Sequence, residues 1–259
     1  MNLWMLILNL EFRIEYKKLE EFLEKVLKEE KNKVILGLTI GTTLSGSIDK
    51  VIKINKLVSE KYKIKVLIHL DAAFGGFILP FSNTDKKYFF ENENVYTISL
   101  DAHKAGNLPC PTGIFLCRKN LQKYNEIKVD YIYGAHDDTL IGSRNGVFSL
   151  LGKWYVHNFG EDGQRRFVKH WLNGKKKFVE AIKKEVNEYV ELYHSPKNMN
   201  QICFSFKNMT EEQIRKCEDI PMLRLFNVNG KTIYKLSVMP HTINVIKSFV
   251  QVVKTNTKK

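Results

Sequence analysis

Three short polar clusters carry the residue types best suited to chemistry: Gly41-Thr42-Thr43, Asp71-Ala72-Ala73-Phe74-Gly75-Gly76 and Asp101-Ala102-His103-Lys104. Each follows an apolar run of strand length. A lysine amine can form a Schiff base with an aldehyde, and a carboxylate can hold a pyridine nitrogen protonated, which turns the ring into an electron sink. Taken singly, each cluster has a plain reading: Gly-Thr-Thr as a turn, Asp71 as a helix cap, Lys104 as a surface lysine. All three in this order are far harder to assign to chance.

The elements around them explain why they would meet. Residues 16–30 show a helical apolar stripe (Leu19, Phe22, Leu23, Val26, Leu27), and residues 34–40 form a short apolar run. A second helical stretch near 48–62 leads to the run at 65–70, and further runs follow at 95–100 and 114–117. Apolar strands separated by helices indicate an α/β domain with a mainly parallel sheet. In such a sheet, ligands bind beyond the carboxyl ends of the strands, where these clusters lie. Residues 119–141 read as a functional polar loop, and residues 146–193 as a long helical region broken at Gly160 and Gly163. After Pro196, strands near 201–206, 222–228 and 232–239 and helices near 210–218 and 241–254 suggest a small α+β domain.

Composition excludes several classes. The 259 residues are 44% hydrophobic, and 41 Lys+Arg against 28 Asp+Glu give a net charge of +13. A chain this apolar can bury enough surface to fold. The lysines alternate with glutamates along helical stretches, and even the densest run, Lys175-Lys176-Lys177, sits in a helical pattern; this reads as a solvated face and not as a nucleic-acid footprint. Four cysteines without CxxC or His spacing argue against a metal site or a disulfide scaffold, and for a reducing cytoplasm. The apolar start, residues 1–10, is too short for a membrane span, which needs about 20 residues, and reads as a buried strand or an unnatural start.

With these residues in place, the sequence resembles the group II pyridoxal-phosphate-dependent amino acid decarboxylases. The likeness runs through Gly41-Thr42-Thr43, Gly46-Ser47-Ile48-Asp49, His69-Leu70-Asp71-Ala72-Ala73 and residues 99–104. Leu108-Pro109-Cys110-Pro111-Thr112-Gly113, Val129-Asp130-Tyr131 and Gly142-Ser143-Arg144-Asn145-Gly146 make it most similar to the bacterial histidine decarboxylase and plant serine decarboxylase branch. The resemblance implies an aspartate-aminotransferase-like (fold type I) architecture. Residues 1–160 would be the C-terminal part of the large cofactor-binding domain, and 161–259 a connecting helix and a small C-terminal domain. It implies Lys104 as the Schiff-base residue, His103 at the cofactor phosphate, Asp71 at the pyridine nitrogen and Ala73 under the ring. Thr42 and Thr43 would line the pocket near the ring hydroxyl and the substrate carboxylate. Tyr131 would be the candidate proton donor after carbon dioxide leaves, and Arg144 lies in a motif of structural or functional use. No metal is implied. The partners implied are an L-amino acid and a second copy or a complementing chain, with neither nucleic acid nor membrane.

The resemblance also implies, ahead of residue 14, a phosphate-binding turn and a ring-stacking histidine. None of the seven histidines takes that place. Three accounts stay open: a truncated or misassigned reading frame, a split enzyme, or a degenerate homologue that acts as a silent partner. Another pyridoxal-phosphate chemistry on the same scaffold is a further alternative.

Overall fold

The structure, a computed structural model, describes residues 13–82, 88–119, 121, 127–128, 136–137 and 145–257. Helix α1 (Tyr16–Lys28) buries Leu19, Leu23 and Val26, the stripe that recurs every three or four residues. It leads into β1 (Lys33–Thr39), then α2 (Val51–Lys56), which runs on through one wider turn at Leu57–Lys61. Strands β2 (Lys65–Asp71) and β3 (Val95–Asp101) continue the parallel set in the order β1-β2-β3. Strand β4 (Gly113–Cys117) ends the sheet and runs antiparallel to β3.

One face of this sheet is packed. Val34, Leu36 and Leu38 of β1 and Val66, Ile68 and Leu70 of β2 are buried in one core with Val51, Ile54 and Val58. The opposite face carries Thr39, His69, Asp71, Thr97 and Ser99, placed side by side by the parallel register Thr39↔Asp71↔Ser99. Among the described residues this face is open: Ile35 is 65% and Phe115 63% exposed.

Within residues 119–141 the described pieces are β5 (Ile127–Lys128) and β6 (His136–Asp137), an antiparallel pair. Helix α3 (Gly146–Asn158) buries none of its residues and is capped by the Asn145 side chain, which accepts from Val147 N. Helix α4 (Gly160–Glu185) follows after a sharp break at Gly160, whose φ of +54° lies in the left-handed region that glycine favours. The break expected at Gly163 is absent. Gly163 lies inside α4, where a Cβ would stand 2.6 Å from the Cβ of Phe159, so its smallness serves packing.

The helical region also ends earlier than its pattern suggests, because β7 (Val190–Leu192) already belongs to a second sheet. That sheet adds β8 (Gln201–Phe206), β9 (Arg224–Val228) and β10 (Lys231–Ser237) in the order β7-β8-β10-β9, all antiparallel. Helix α5 (Glu211–Glu218) starts with a capping box between Thr210 and Gln213, and α6 (Ile243–Thr257) closes the described chain. Phe178 of α4, Phe204 of β8 and Phe249 of α6 meet with ring centroids 5.0 and 5.1 Å apart, an aromatic contact that fastens α4 and α6 to the sheet.

Candidate active site

The loops that follow β1, β2 and β3 are laced together by their own backbones. Ile40 N donates to Asp71 O (2.8 Å), Gly75 N to Ile40 O (2.9 Å), Ala72 N to Ser99 O (2.9 Å) and Asp101 N to Ala73 O (3.2 Å). Three separate stretches of sequence are thereby held at one end of the sheet.

The loop after β1 turns at Gly41, with φ +89°, where a Cβ would approach Met199 Cε to 2.6 Å. Thr42 Oγ1 accepts from Ser47 N and shares a hydrogen bond with Ser45 Oγ, both 3.0 Å, while Thr43 is exposed. The Gly46-Ser47-Ile48-Asp49 motif folds back on β1. Its Asp49 carboxylate is buried, accepts from Thr39 N (2.8 Å) and Ile14 N (3.1 Å), and is pushed up in pKa by burial. These residues build the loop and do not face a ligand.

Asp71, at the end of β2, is exposed, and its Oδ1 accepts from Ala73 N at 3.1 Å. Its Oδ2 has no hydrogen-bond partner among the described residues. Lys104 sits in the loop after β3 with its Nζ 2.8 Å from Asp101 Oδ2, a half-exposed ion pair. That loop closes on itself through Ala102 N to Thr112 O (2.8 Å) and Leu108 N to Ala102 O (3.0 Å). His103 Nδ1 accepts from Thr112 N (3.1 Å), and Nε2 of the exposed ring has no hydrogen-bond partner among the described residues. The buried Gln164 of α4 ties the loops together from below, its Nε2 donating to Phe77 O (2.6 Å) and Ala105 O (2.9 Å).

One residue escaped the sequence reading. Lys235, on the central strand β10 of the second sheet, places its Nζ 5.2 Å from the centroid of the Phe74 ring. Burial pushes its pKa down, and repulsion from Lys104 adds to the effect, so the two cations share one neighbourhood. Its neighbours in sequence alternate as in any strand, and no local pattern marks it. Tyr131 and Arg144 lie outside the described residues. Beside the strand ends, a groove of about 900 Å³ between β3, β4 and α3 is lined by Ser99, Asp101, Thr112, Phe115 and Phe148.

Comparison with known proteins gives this geometry its context. Residues 3–207 match the pyridoxal-dependent decarboxylase conserved domain. The chain is 31% identical over 237 residues to a tryptophan decarboxylase of Clostridium sporogenes, covering 89% of this chain and 55% of that one. It is 29% identical to a probable L-aspartate decarboxylase of Archaeoglobus fulgidus (93% and 62% covered) and 30% identical to a histidine decarboxylase of Raoultella ornithinolytica (59% and 67%). Among solved structures, a sphingosine-1-phosphate lyase of Burkholderia pseudomallei superposes with a TM-score of 0.74 at 16% identity, over 95% of this chain and 55% of its own. At that identity the likeness is one of fold, the fold type I architecture. The chain thus spans little more than half the length of the first relatives it matches.

Pyridoxal phosphate is the cofactor of this family, and the residues present fit it. Lys104 is an accessible amine, Asp71 a carboxylate with one open oxygen, Ala73 a small neighbour, and His103 an exposed ring with its Nε2 open. From the match over residues 3–207, the chain belongs to the pyridoxal-dependent decarboxylase family.

Proposed function

We propose that the protein takes part in the pyridoxal-phosphate-dependent decarboxylation of an L-amino acid to its amine and carbon dioxide. The observation that carries this reading is the convergence of Thr42-Thr43, Asp71 and Lys104 at the carboxyl ends of three adjacent strands. The substrate we favour is histidine-like or serine-like, from the residues at 129–146; the relatives above are named for tryptophan, aspartate and histidine.

When bound, pyridoxal phosphate supplies an aldehyde that takes up an amine and a ring that accepts the electron pair left by departing carbon dioxide. Lys104 Nζ, released from Asp101, would be the amine that holds the cofactor. Asp71 Oδ2 would hold the proton on the ring nitrogen, while its Oδ1 stays anchored on Ala73 N–H. His103 would face the phosphate, and Thr42 and Thr43 would line the pocket. Lys235 supplies a cation for the substrate carboxylate, and Tyr131 is the candidate to return a proton to the substrate carbon. Residues 1–160 belong in this reading to the large domain and 161–259 to the connecting helix and small domain. All four cysteines are free thiols, which supports a reducing cytoplasm. No described helix is long and apolar enough to cross a membrane.

The test is spectroscopic and chemical. Protein with added cofactor and a panel of amino acids is followed for the visible band of bound cofactor, for carbon dioxide and for aldehyde. Lys104→Ala should lose the band and all turnover; a variant that keeps both overturns the assignment. Aldehyde in place of amine would point to another chemistry on the same scaffold. The open sheet face favours a second reading, in which it acts only with a second copy or a complementing chain. That reading expects no band from the chain alone.

A further inference from the structure

Lys175 stands on the buried stripe of α4 with Trp171, Phe178 and Ile182 and is 7% exposed. Its Nζ donates to Ser195 Oγ (2.8 Å), Pro196 O (2.6 Å) and Met199 O (2.8 Å). No carboxylate lies within ion-pair distance of it among the described residues. Burying an ammonium on neutral acceptors alone is expensive, and a residue of similar length without the charge would avoid that cost. What the three bonds achieve is geometric: they fix the turn at 195–199 from three directions.

That turn leads straight to the loop of the threonine pair. Ser195 Oγ donates in turn to Gln201 O, and the fully buried Gln201 donates its Nε2 to Thr42 O (3.0 Å). Two residues on, Cys203 Sγ donates to Leu44 O (2.9 Å), and Met199 fills the space that a side chain at Gly41 would need. Segment 199–203 therefore grips segment 41–44 at three successive points, and Lys175 holds the segment that grips.

We propose that Lys175 is a positioning residue for the Thr42-Thr43 loop, its constraint passed through the 195–199 turn and Gln201. The functional meaning rests on the reading of Thr42 and Thr43 as pocket residues; the mechanical coupling does not. Neither Lys175 nor Gln201 touches the reacting groups, and the loop they hold carries residues that do.

Hydrogen exchange of the full chain without added cofactor tests the coupling, with Lys175→Met and Gln201→Leu beside the wild type. The amides of Gly41, Thr42 and Gly46 are bonded within the loop and report its opening. In Lys175→Met, residues 195–201 and 40–48 should both exchange about tenfold faster, while α1 and β2 keep the wild-type rate. In Gln201→Leu only residues 40–48 should accelerate, since the Lys175 bonds to the turn persist. A folded Lys175→Met with an unchanged 40–48 segment overturns the proposal, as does a Gln201→Leu that leaves this segment unchanged. Should Lys175→Met fail to fold, Ser195→Ala, which removes one Lys175 acceptor and the Ser195 bond to Gln201 O, decides by the criterion set for Lys175→Met. Titration with pyridoxal phosphate then separates the two readings. Both variants should bind it about tenfold more weakly than wild type, and loosened loops with undiminished affinity overturn the positioning role. A wild type that binds none, with the exchange pattern intact, overturns the proposed function and upholds the coupling.

Discussion

Asp101 and Asp71 are both aspartates at the carboxyl ends of neighbouring strands, yet they serve opposite ends. Asp71 keeps an oxygen open, whereas Asp101 occupies Lys104 at 2.8 Å. In the proposed reading a cofactor must displace that pair before the Lys104 amine can react. Because both partners are part-exposed, the pair contributes at most about 1 kcal/mol. Asp101→Asn should therefore tighten pyridoxal phosphate binding by no more than about fivefold, read from the absorbance band. Lys175 gives a clearer pH signature. Burial lowers its pKa from the ordinary 10.5 to about 8, while the neighbouring Cys203 thiol, pushed up to about 12, stays neutral and adds no charge. Between those two lysine values the unfolded chain binds the extra proton, so stability rises with pH across the window. The rise should approach about 3 kcal/mol, and Lys175→Met should lack it in urea unfolding at about pH 7 and about pH 10. At this scale the sequence displayed the motif residues because their types and order are chemical. It concealed Lys175, which the Lys175-Lys176-Lys177 run presents as one solvated face although residue 175 falls on the phase of Trp171 and Phe178. That phase is the signal that could have revealed it. Lys235 had no such signal, since only the meeting of two sheets brings it to Phe74.

Helix α4 shows how an element can be read correctly in kind and wrongly in detail. Gly160 and Gly163 look alike as helix breakers, but only Gly160 has a backbone that demands glycine. Gly163→Ala would ordinarily gain helix propensity of about 1 kcal/mol. Here the added methyl meets Phe159 Cβ, and the expected outcome is a loss of about 1–3 kcal/mol in thermal or urea unfolding. The contact is between residues four apart across the helix break at Gly160, which a helical wheel drawn through both helices misplaces. Strand β7 was concealed for a related reason: three residues after a Lys/Glu-rich helix are too short to show alternation, and their pairing with β8 is decided in space. The parallel strands were legible, because β1, β2 and β3 are apolar runs joined by longer crossovers. The reversal at β4 was not, since its direction depends on how the Lys104 loop closes.

For the molecule as a whole, the distribution of apolar surface matters more than the net charge of +13. Leu150 (66% exposed) and Trp154 (55%) on α3, and Ile114, Phe115 and Leu116 of β4, are large apolar side chains left exposed among the described residues. Exposed apolar surface in this amount is the mark of a contact surface. On the reading in which the chain acts with a second copy, Leu150→Lys with Trp154→Lys should reduce self-association in sedimentation, while folding stability changes by no more than about 0.5 kcal/mol, because neither side chain is in the core. Association that persists unchanged would place the contact elsewhere. One of the four thiols reports on the open face of the first sheet. Cys203 and Cys217 are buried, and burial raises the pKa of both, so they resist alkylation; Cys110 and Cys117 are partly exposed. Cys117 pairs with Thr97 across β3 and β4 and so belongs to the open side of the sheet. A maleimide should thus modify two thiols in the native chain and four after unfolding, and the rate at Cys117 becomes a clock for how long that side stays uncovered.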